Sequence, residues 1–223
     1  GARVMISARK ADELESAVAE LQAAGIDARW IAADCAREDD IQRLASETLQ
    51  RMGDVDILVN NAGATWGAPA EDHPLAAWDK VMNLNVRGYF LLSQAIARHS
   101  MIPRRGGRII NVASIAGLAG NPFAMKTIAY NTSKGAVLNF TRALAGEWGA
   151  HGINVNAICP GFFPSKLASG LIDKLGPALI ERTPLRRIGG DEDLMGAVVF
   201  LASNASRHIT GQGLVVDGGA SLI

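Results

Sequence analysis

The sequence is short of several things, and each shortage excludes something. Its 223 residues hold two cysteines, Cys35 and Cys159, too few for a disulfide framework. Both close apolar runs, where a thiol behaves as a small hydrophobe. Neither sign of charge is in excess, since Lys plus Arg and Asp plus Glu each number 22. Nucleic-acid binders and polybasic membrane-surface proteins need surplus cations, so a balanced chain argues against both. The one dense basic stretch, IPRRGGR at 102–108, is short and runs into an apolar segment, as a solvated loop does. Four histidines (His73, His99, His151, His208) have no ligand spacing, which argues against a metal site. No apolar run is long enough to span a bilayer. The opening GARVMISARK lacks the features of a secretory signal, and the expected location is the cytoplasm.

What is present is an alternation. Short β-branched runs read as strands at 3–7, 28–33, 55–59, 108–113, 153–159 and 213–216. Between them lie helical patterns at 11–24, 37–53, about 75–101, 127–149 and 191–203. Gly25 supplies a stop signal for the first helix. Strands that alternate with helices of this length need crossover connections and form a parallel sheet. Their near-continuous apolar character fits a sheet covered on both faces. The expectation is one domain over 1–223: α/β, a Rossmann-type doubly wound parallel sheet. The segment 160–190 is rich in Gly, Pro and Ser and weak in helix signal, the composition of a binding loop.

One expected part is missing. A sheet of this kind needs a central first strand and a Gly-rich turn, and the chain has no G-x-G-x-x-G. The expectation is that the parent protein carries roughly 25–35 further residues upstream, about one strand–turn–helix unit.

Ligands in open α/β sheets bind beyond the carboxyl ends of the strands. Those positions here hold Ala8 and Arg9, Asp34, Asn60 to Gly63, Ser114, and Pro160 with Gly161. Each alone is an ordinary turn or cap residue; their gathering on one edge points to a ligand site. The helix that follows Ser114 carries Tyr130 and Lys134 in its first turns, and i,i+4 residues share a helix face. A free phenol, with a pKa of about 10, is a poor base at neutral pH. An ammonium about 4 Å away, at effective dielectric ~20, is worth roughly 4 kcal/mol, or about 3 pKa units. That would bring Tyr130 into the range of a general acid/base, with Ser114 polarising a carbonyl.

Taken together, NNAG (60–63), NLNV (83–86), Ser114, Tyr130-x-x-x-Lys134, PG (160–161) and DGG (217–219) resemble the short-chain dehydrogenase/reductase family across essentially the whole chain. The pattern is most similar to 3-oxoacyl-carrier-protein reductases and gluconate 5-dehydrogenases. The resemblance implies one seven-stranded parallel sheet. It implies a catalytic set of Ser114, Tyr130, Lys134 and Asn85, with Asn85 holding a water that relays protons to Lys134. It implies that Asn61, Ala62 and Gly63 line the adenosine half of a dinucleotide, and that Asp34, with Cys35 beside it, meets the adenine. Tyr130 and Lys134 would also contact the cofactor, Lys134 through the nicotinamide ribose. Pro160, Gly161, Phe162 and Phe163 would flank the nicotinamide, and Ser165 stands where the family often has a threonine near the cofactor. A tetramer, or a dimer, would form through the two long helices and the last strand.

The implied activity is hydride transfer between NADP(H) and a small-molecule carbonyl: a 3-oxoacyl thioester, a keto-sugar or a small ketone. NADP(H) is preferred over NAD(H) because the second strand of the family's sheet ends here in SARK. Arg9 offers bidentate bonds to a 2′-phosphate, and no acid is present for a ribose hydroxyl. Trp66, Ile115, Leu118, Phe123, Met125, Phe162, Phe163, Leu167 and Leu171 are candidate substrate walls. The connection between Ser114 and Tyr130 is longer than is common in the family. The competing reading is a catalytically silent dinucleotide-binding sensor or scaffold.

Overall fold

The computed structural model describes residues 1–121, 125–166 and 168–222. Strand β1 (Val4–Ala8) leads through helix α1 (Ala11–Ala23) to β2 (Ala28–Ala32), and helix α2 (Glu38–Met52) leads on to β3 (Ile57–Asn60). A long helical run follows: α3 (Leu75–Met82), a π turn at Asn83–Arg87, α4 (Gly88–Ile96), a second π turn at Ala97–Met101, and α5 (Ile102–Arg104). Then come β4 (Gly107–Val112), a 3₁₀ turn at Ile115–Gly117, α6 (Ile128–Trp148), β5 (Ile153–Pro160), α7 (Ser169–Arg182), α8 (Met195–Ala202) and β6 (Gly213–Val216).

Every strand pairing is parallel. β1 pairs with β2, Val4 opposite Ala28 and Ala8 opposite Ala32. The other four strands form a second sheet in the order β3-β4-β5-β6. The chain thus winds from β1 out to β2 in one sheet and from β3 out to β6 in the other. The doubly wound α/β expectation holds. Among the described residues six strands stand in two sheets and no ladder joins β1 to β3, so the seven-stranded sheet implied by the resemblance is seen without the central first strand that the sequence was read to lack. The lack shows at β3, where Ile57 and Val59 remain 38% and 41% exposed.

Helices cover both faces of the larger sheet. Successive strand side chains point to opposite sides, so Ile109 and Ile110 of β4 enter different cores. Ile109 packs with Met101, Leu144, Ile153 and Val155 beneath the long helices. Ile110 packs with Ile158 and with Leu201 of α8. Burying each such side chain stabilises the fold by about 1.5–3 kcal/mol. The centre of the larger sheet also holds a polar chain: the Asn60 amide donates to Ser93 Oγ (2.9 Å) and Asn111 Oδ1 (2.8 Å), and Asn111 donates to Thr141 Oγ1 (2.9 Å). Asn60, which reads as a turn residue, is therefore a buried link between β3, β4, α4 and α6, each partner satisfying another.

Helix α7 occupies part of the segment expected to be loop. Gly170, Gly176 and Pro177 hide it, since Gly and Pro cost about 1 and 3 kcal/mol in helix interiors. Its partly buried positions, Leu171, Ile172, Leu175 and Leu179 with buried Gly176, recur at helical spacing, and that stripe outweighs the composition.

Candidate active site

Parallel strands that run outward in both directions from β1 and β3 define a switch point, and the crevice at their carboxyl ends is where such sheets take ligands. Arg9 leaves the end of β1 exposed to solvent, and Asn61 and Gly63 leave the end of β3 exposed, with Ala62 half-buried. Ser114 follows β4 and is buried. Tyr130, half-buried, and Lys134, 3% exposed, lie on the first turns of α6.

These residues converge. The Lys134 ammonium lies 5.7 Å from the Tyr130 ring centroid and 5.6 Å from that of Tyr89, within cation–π range of both. It donates to the Val112 carbonyl at the end of β4 (2.6 Å), which Tyr89 Oη also reaches at 3.3 Å. A Cβ built on Gly63 would lie 3.9 Å from Lys134 Nζ and 3.8 Å from Asn85 Oδ1, so the end of NNAG, the π turn and α6 meet at one place. Asn85 is fully buried there. Its Oδ1 accepts from the Ala64 amide (2.8 Å), and its Nδ2 donates to Ala64 O and Ser133 Oγ (both 2.9 Å). Ser133 in turn donates to the Tyr130 carbonyl (2.7 Å). The π turn that presents Asn85 is a local feature often found at functional positions.

The electrostatics differ from the sequence expectation. The Tyr130 phenol is pushed above its ordinary value by burial, and the Ser114 hydroxyl, which favours the phenolate, is what opposes that rise. Lys134 is itself lowered to about 8 because burial penalises its charge. The ammonium faces the tyrosine ring, so Ser114, not Lys134, is the group that eases the phenol toward ionisation here.

The other expected residues fall around this centre. Asp34, half-buried, is a turn residue: its Oδ1 accepts from the Ala36 amide (3.0 Å) ahead of α2, and α2 itself begins after Arg37 with no side-chain cap. The Cys35 carbonyl presses on Gly88, where a Cβ would collide with it, so the loop after β2 is seated on the long helix just past Asn85. Cys159 is buried against Tyr89 and Val137, a hydrophobe as read. Pro160 ends β5, and the Gly161 amide donates to Val216 O (2.9 Å). The Phe163 ring lies where a Cβ on Gly189 would sit. Ser165 is exposed, and its Oγ accepts from the Ala168 amide (3.2 Å) before α7. Lys10, the second cation of SARK, pairs with Glu13 at 2.9 Å, while Arg9 is exposed just past the end of β1. Phe123 and Leu167 lie outside the described residues.

Some site residues escaped the sequence reading. Gly117 is one: a Cβ there would stand 2.5 Å from the Lys134 backbone carbon, so the turn after Ser114 lies directly on α6. Asn131, beside Tyr130, donates to Ala116 O at 2.8 Å. Their only sequence signal is nearness to Ser114 and Tyr130.

Among the described residues no group of three or more His, Cys, Asp or Glu side chains could hold a metal, and no helix is long and apolar enough to cross a membrane. A surface cavity of about 670 Å³ lies away from this centre, over β2. Its arginines are already paired, Arg43 with Asp40 and Glu47, and Arg51 with Glu47. The cluster at the strand ends holds a side-chain-free Gly63 beside Lys134 and Asn85, and Asn61 and Arg9, after the ends of β3 and β1, are exposed.

The fold and the cluster define an α/β oxidoreductase of the nicotinamide-using kind. The family model described as enoyl-(acyl carrier protein) reductase matches residues 1–221. Gluconate 5-dehydrogenase of Gluconobacter oxydans is 38% identical over 224 residues, covering 100% of this chain and 86% of that protein. A 3-oxoacyl-[acyl-carrier-protein] reductase of Staphylococcus epidermidis is 37% identical over 208 residues, 93% of this chain and 84% of that protein. Among solved structures, a gluconate 5-dehydrogenase from Burkholderia cenocepacia in complex with NADP and tartrate superposes with a TM-score of 0.94 at 35% identity, covering 100% of this chain and 87% of that one. The chain belongs to the short-chain dehydrogenase/reductase family and is an NAD(P)-dependent enzyme of it.

Proposed function

We propose that the enzyme interconverts a ketone and its secondary alcohol with NADP(H), using Tyr130 as general acid/base. The observation that carries this reading is the convergence of Ser114, Tyr130, Lys134 and Asn85 at the carboxyl edge of the sheet. When bound, a nicotinamide supplies hydride to a carbonyl carbon or accepts it from an alcohol carbon. Ser114 donates a hydrogen bond to the substrate oxygen and stabilises the charge that develops there. Tyr130 gives that oxygen its proton in reduction and takes it back in oxidation. Lys134 orients the ring, bonds the nicotinamide ribose and, with a water held at Asn85, returns a proton to the phenol. Asn61, Ala62, Gly63, Asp34 and Cys35 serve the adenosine half; Pro160, Gly161, Phe163 and Ser165 serve the nicotinamide half.

Arg9 is assigned to the 2′-phosphate. Two solved relatives described as gluconate 5-dehydrogenases hold NADP, which supports the choice. Arg9→Ala is expected to raise KM for NADPH about 10- to 100-fold, the scale of a lost charge-assisted pair, and to leave KM for NADH within about threefold. The substrate is a keto-sugar or keto-acid, a 3-oxoacyl thioester or a small ketone. Initial rates on a panel of these classes with NADPH and with NADH test the whole reading. A clear preference for NADH would refute the Arg9 assignment; no turnover of any class with either cofactor would refute the function.

The enzyme is further read as a cytoplasmic homotetramer. Phe90 on α4, Ile128 on α6 and Val215 on β6 are 43%, 42% and 38% exposed, apolar surface on the elements expected to meet partner chains. Light scattering that returns a monomer at micromolar concentration would rule this out.

A further inference from the structure

The turn that carries Ser114 and the helix that carries Tyr130 are separate elements, and the chemistry above needs their hydroxyls at a fixed separation. Beyond the Ser114 hydroxyl itself, two contacts of the turn tie it to α6. Gly117 lies on the Lys134 backbone, close enough to exclude any side chain. The second contact is the Asn131 amide, whose Nδ2 donates to Ala116 O at 2.8 Å, two residues after Ser114.

The Asn131 amide has all four of its hydrogen-bonding sites engaged. Beyond Ala116, Nδ2 donates to Asn121 Oδ1 (2.8 Å), while Oδ1 accepts from Asn121 Nδ2 (2.7 Å) and from Thr127 Oγ1 (2.9 Å). Asn121 and Asn131 thus form a reciprocal amide pair. A flipped Asn131 would set its oxygen against Ala116 O and its NH₂ against Asn121 Nδ2. Thr127 underlines the point. It occupies the N-cap position of α6, where a threonine hydroxyl ordinarily accepts a backbone N–H. It makes no such cap, and its hydroxyl donates to Asn131 instead. A local rule given up beside a reactive group is the mark of a functional constraint.

We propose that Asn131 is a positioning residue for carbonyl reduction: oriented by Asn121 and Thr127, it holds the Ser114 turn against α6 so that the Ser114 and Tyr130 hydroxyls reach the same substrate oxygen. This rests on the reading of Ser114 and Tyr130 given above. Asn131 touches neither substrate nor cofactor in this role, and its effect falls on the transition state, where the substrate oxygen gains charge.

The test is steady-state kinetics with NADPH, thermal melting and NADPH titration on Asn131→Ala, Asn131→Asp, Asn121→Ala and the double Asn121→Ala/Asn131→Ala variant. Asn131→Asp keeps the shape and the acceptor but removes the donor to Ala116 O and to Asn121 Oδ1. Both Asn131 variants are expected to lower kcat about 10- to 100-fold, with KM for the carbonyl substrate and Kd for NADPH within about threefold. Asn121→Ala is expected to lower kcat about 3- to 10-fold, and the double variant to be no worse than Asn131→Ala, because both cuts break one unit. Should Asn131→Ala fold poorly, Asn131→Asp and Thr127→Val carry the measurement. The proposal is overturned if Asn131→Asp keeps kcat within twofold of the parent, or if kcat and KM worsen in proportion to a lowered Tm. Tyr130→Phe, run alongside, separates the failures. An inactive Tyr130→Phe with a fully active Asn131→Asp removes the positioning role alone, whereas an active Tyr130→Phe removes the reading beneath it as well.

Discussion

Tyr130→Phe is expected to lower kcat by about a thousandfold and to leave NADPH binding within about threefold of the parent. The substitution deletes one oxygen and keeps the ring. The Lys134 ammonium, 5.7 Å from the centroid, keeps its aromatic neighbour, so the site does not collapse around a hole. What is lost is the proton carrier, and positioned acid/base groups are worth about 10²–10⁴ in rate. The pH dependence adds a sign. Burial raises the phenol above its ordinary value, so Tyr130 holds its proton at neutral pH, the state that carbonyl reduction needs. Lys134, lowered to about 8, is the group in the chain of donors expected to lose its proton first. Reduction is therefore expected to be flat below about pH 8 and to fall above it, while alcohol oxidation rises through the same range. Stopped-flow and steady-state rates in both directions between pH 6 and 10.5 measure this. A kcat for Tyr130→Phe within tenfold of the parent would sink the acid/base assignment.

The alternation of apolar strand runs with helical patterns was enough to read the doubly wound class and the strand-end edge from which Ser114 leads to Tyr130 and Lys134. Periodicity is a local property, and the two long helices and all six strands follow it closely. What could not be read has a physical cause in each case. Helix α7 depends on a stripe of half-buried leucines that only the tertiary fold makes worth more than its Gly170, Gly176 and Pro177. Asn60 looks like a turn residue until β4 and α4 bring Asn111 and Ser93 to it. The sign of the Tyr130 environment could not be derived from an i,i+4 spacing, because the spacing brings the amine to the ring and is silent on how much water either group loses. The Asn121–Asn131 pair is invisible for the same reason: nothing in a chain announces that two asparagines ten residues apart fold back on one another. Of the proposed catalytic set, Ser114 could be located because it follows a strand end, and Tyr130 and Lys134 because they lie in the first turns of the next helix, whereas Asn85, in a π turn of the long helical run, came from the family resemblance.

Replacing Lys134 with methionine is expected to do two things at once: lower turnover by about 10²–10³ and make the protein more stable. Lys134 is 3% exposed, and among the described residues it has no carboxylate partner, only the Val112 carbonyl and the faces of Tyr89 and Tyr130. A folded-state value of about 8 against an ordinary 10.5 means that holding the charge inside costs about 3 kcal/mol, at about 1.4 kcal/mol for each tenfold change in proton affinity. Methionine matches the length of the side chain and leaves no buried charge. The Val112 carbonyl keeps Tyr89 Oη as a donor, so removing the amine does not strand it. Allowing for the lost cation–π contacts, worth about 1 kcal/mol, a net gain of about 1–2 kcal/mol at neutral pH is expected, or a few degrees in Tm. The pH dependence identifies the cause. Below about pH 8 both the folded and the unfolded chain hold the proton, and the whole penalty falls on the parent. Between about 8 and 10.5 the unfolded chain still holds it while the folded chain does not, so the parent gains stability with rising pH and the gap to Lys134→Met closes. Denaturant unfolding of the two proteins at pH 7, 8.5 and 10 measures that gap. A variant less stable than the parent at pH 7, or a gap that widens with pH, would show that Lys134 is held by its neighbours more strongly than burial penalises it, and the site would not be storing folding stability for catalysis.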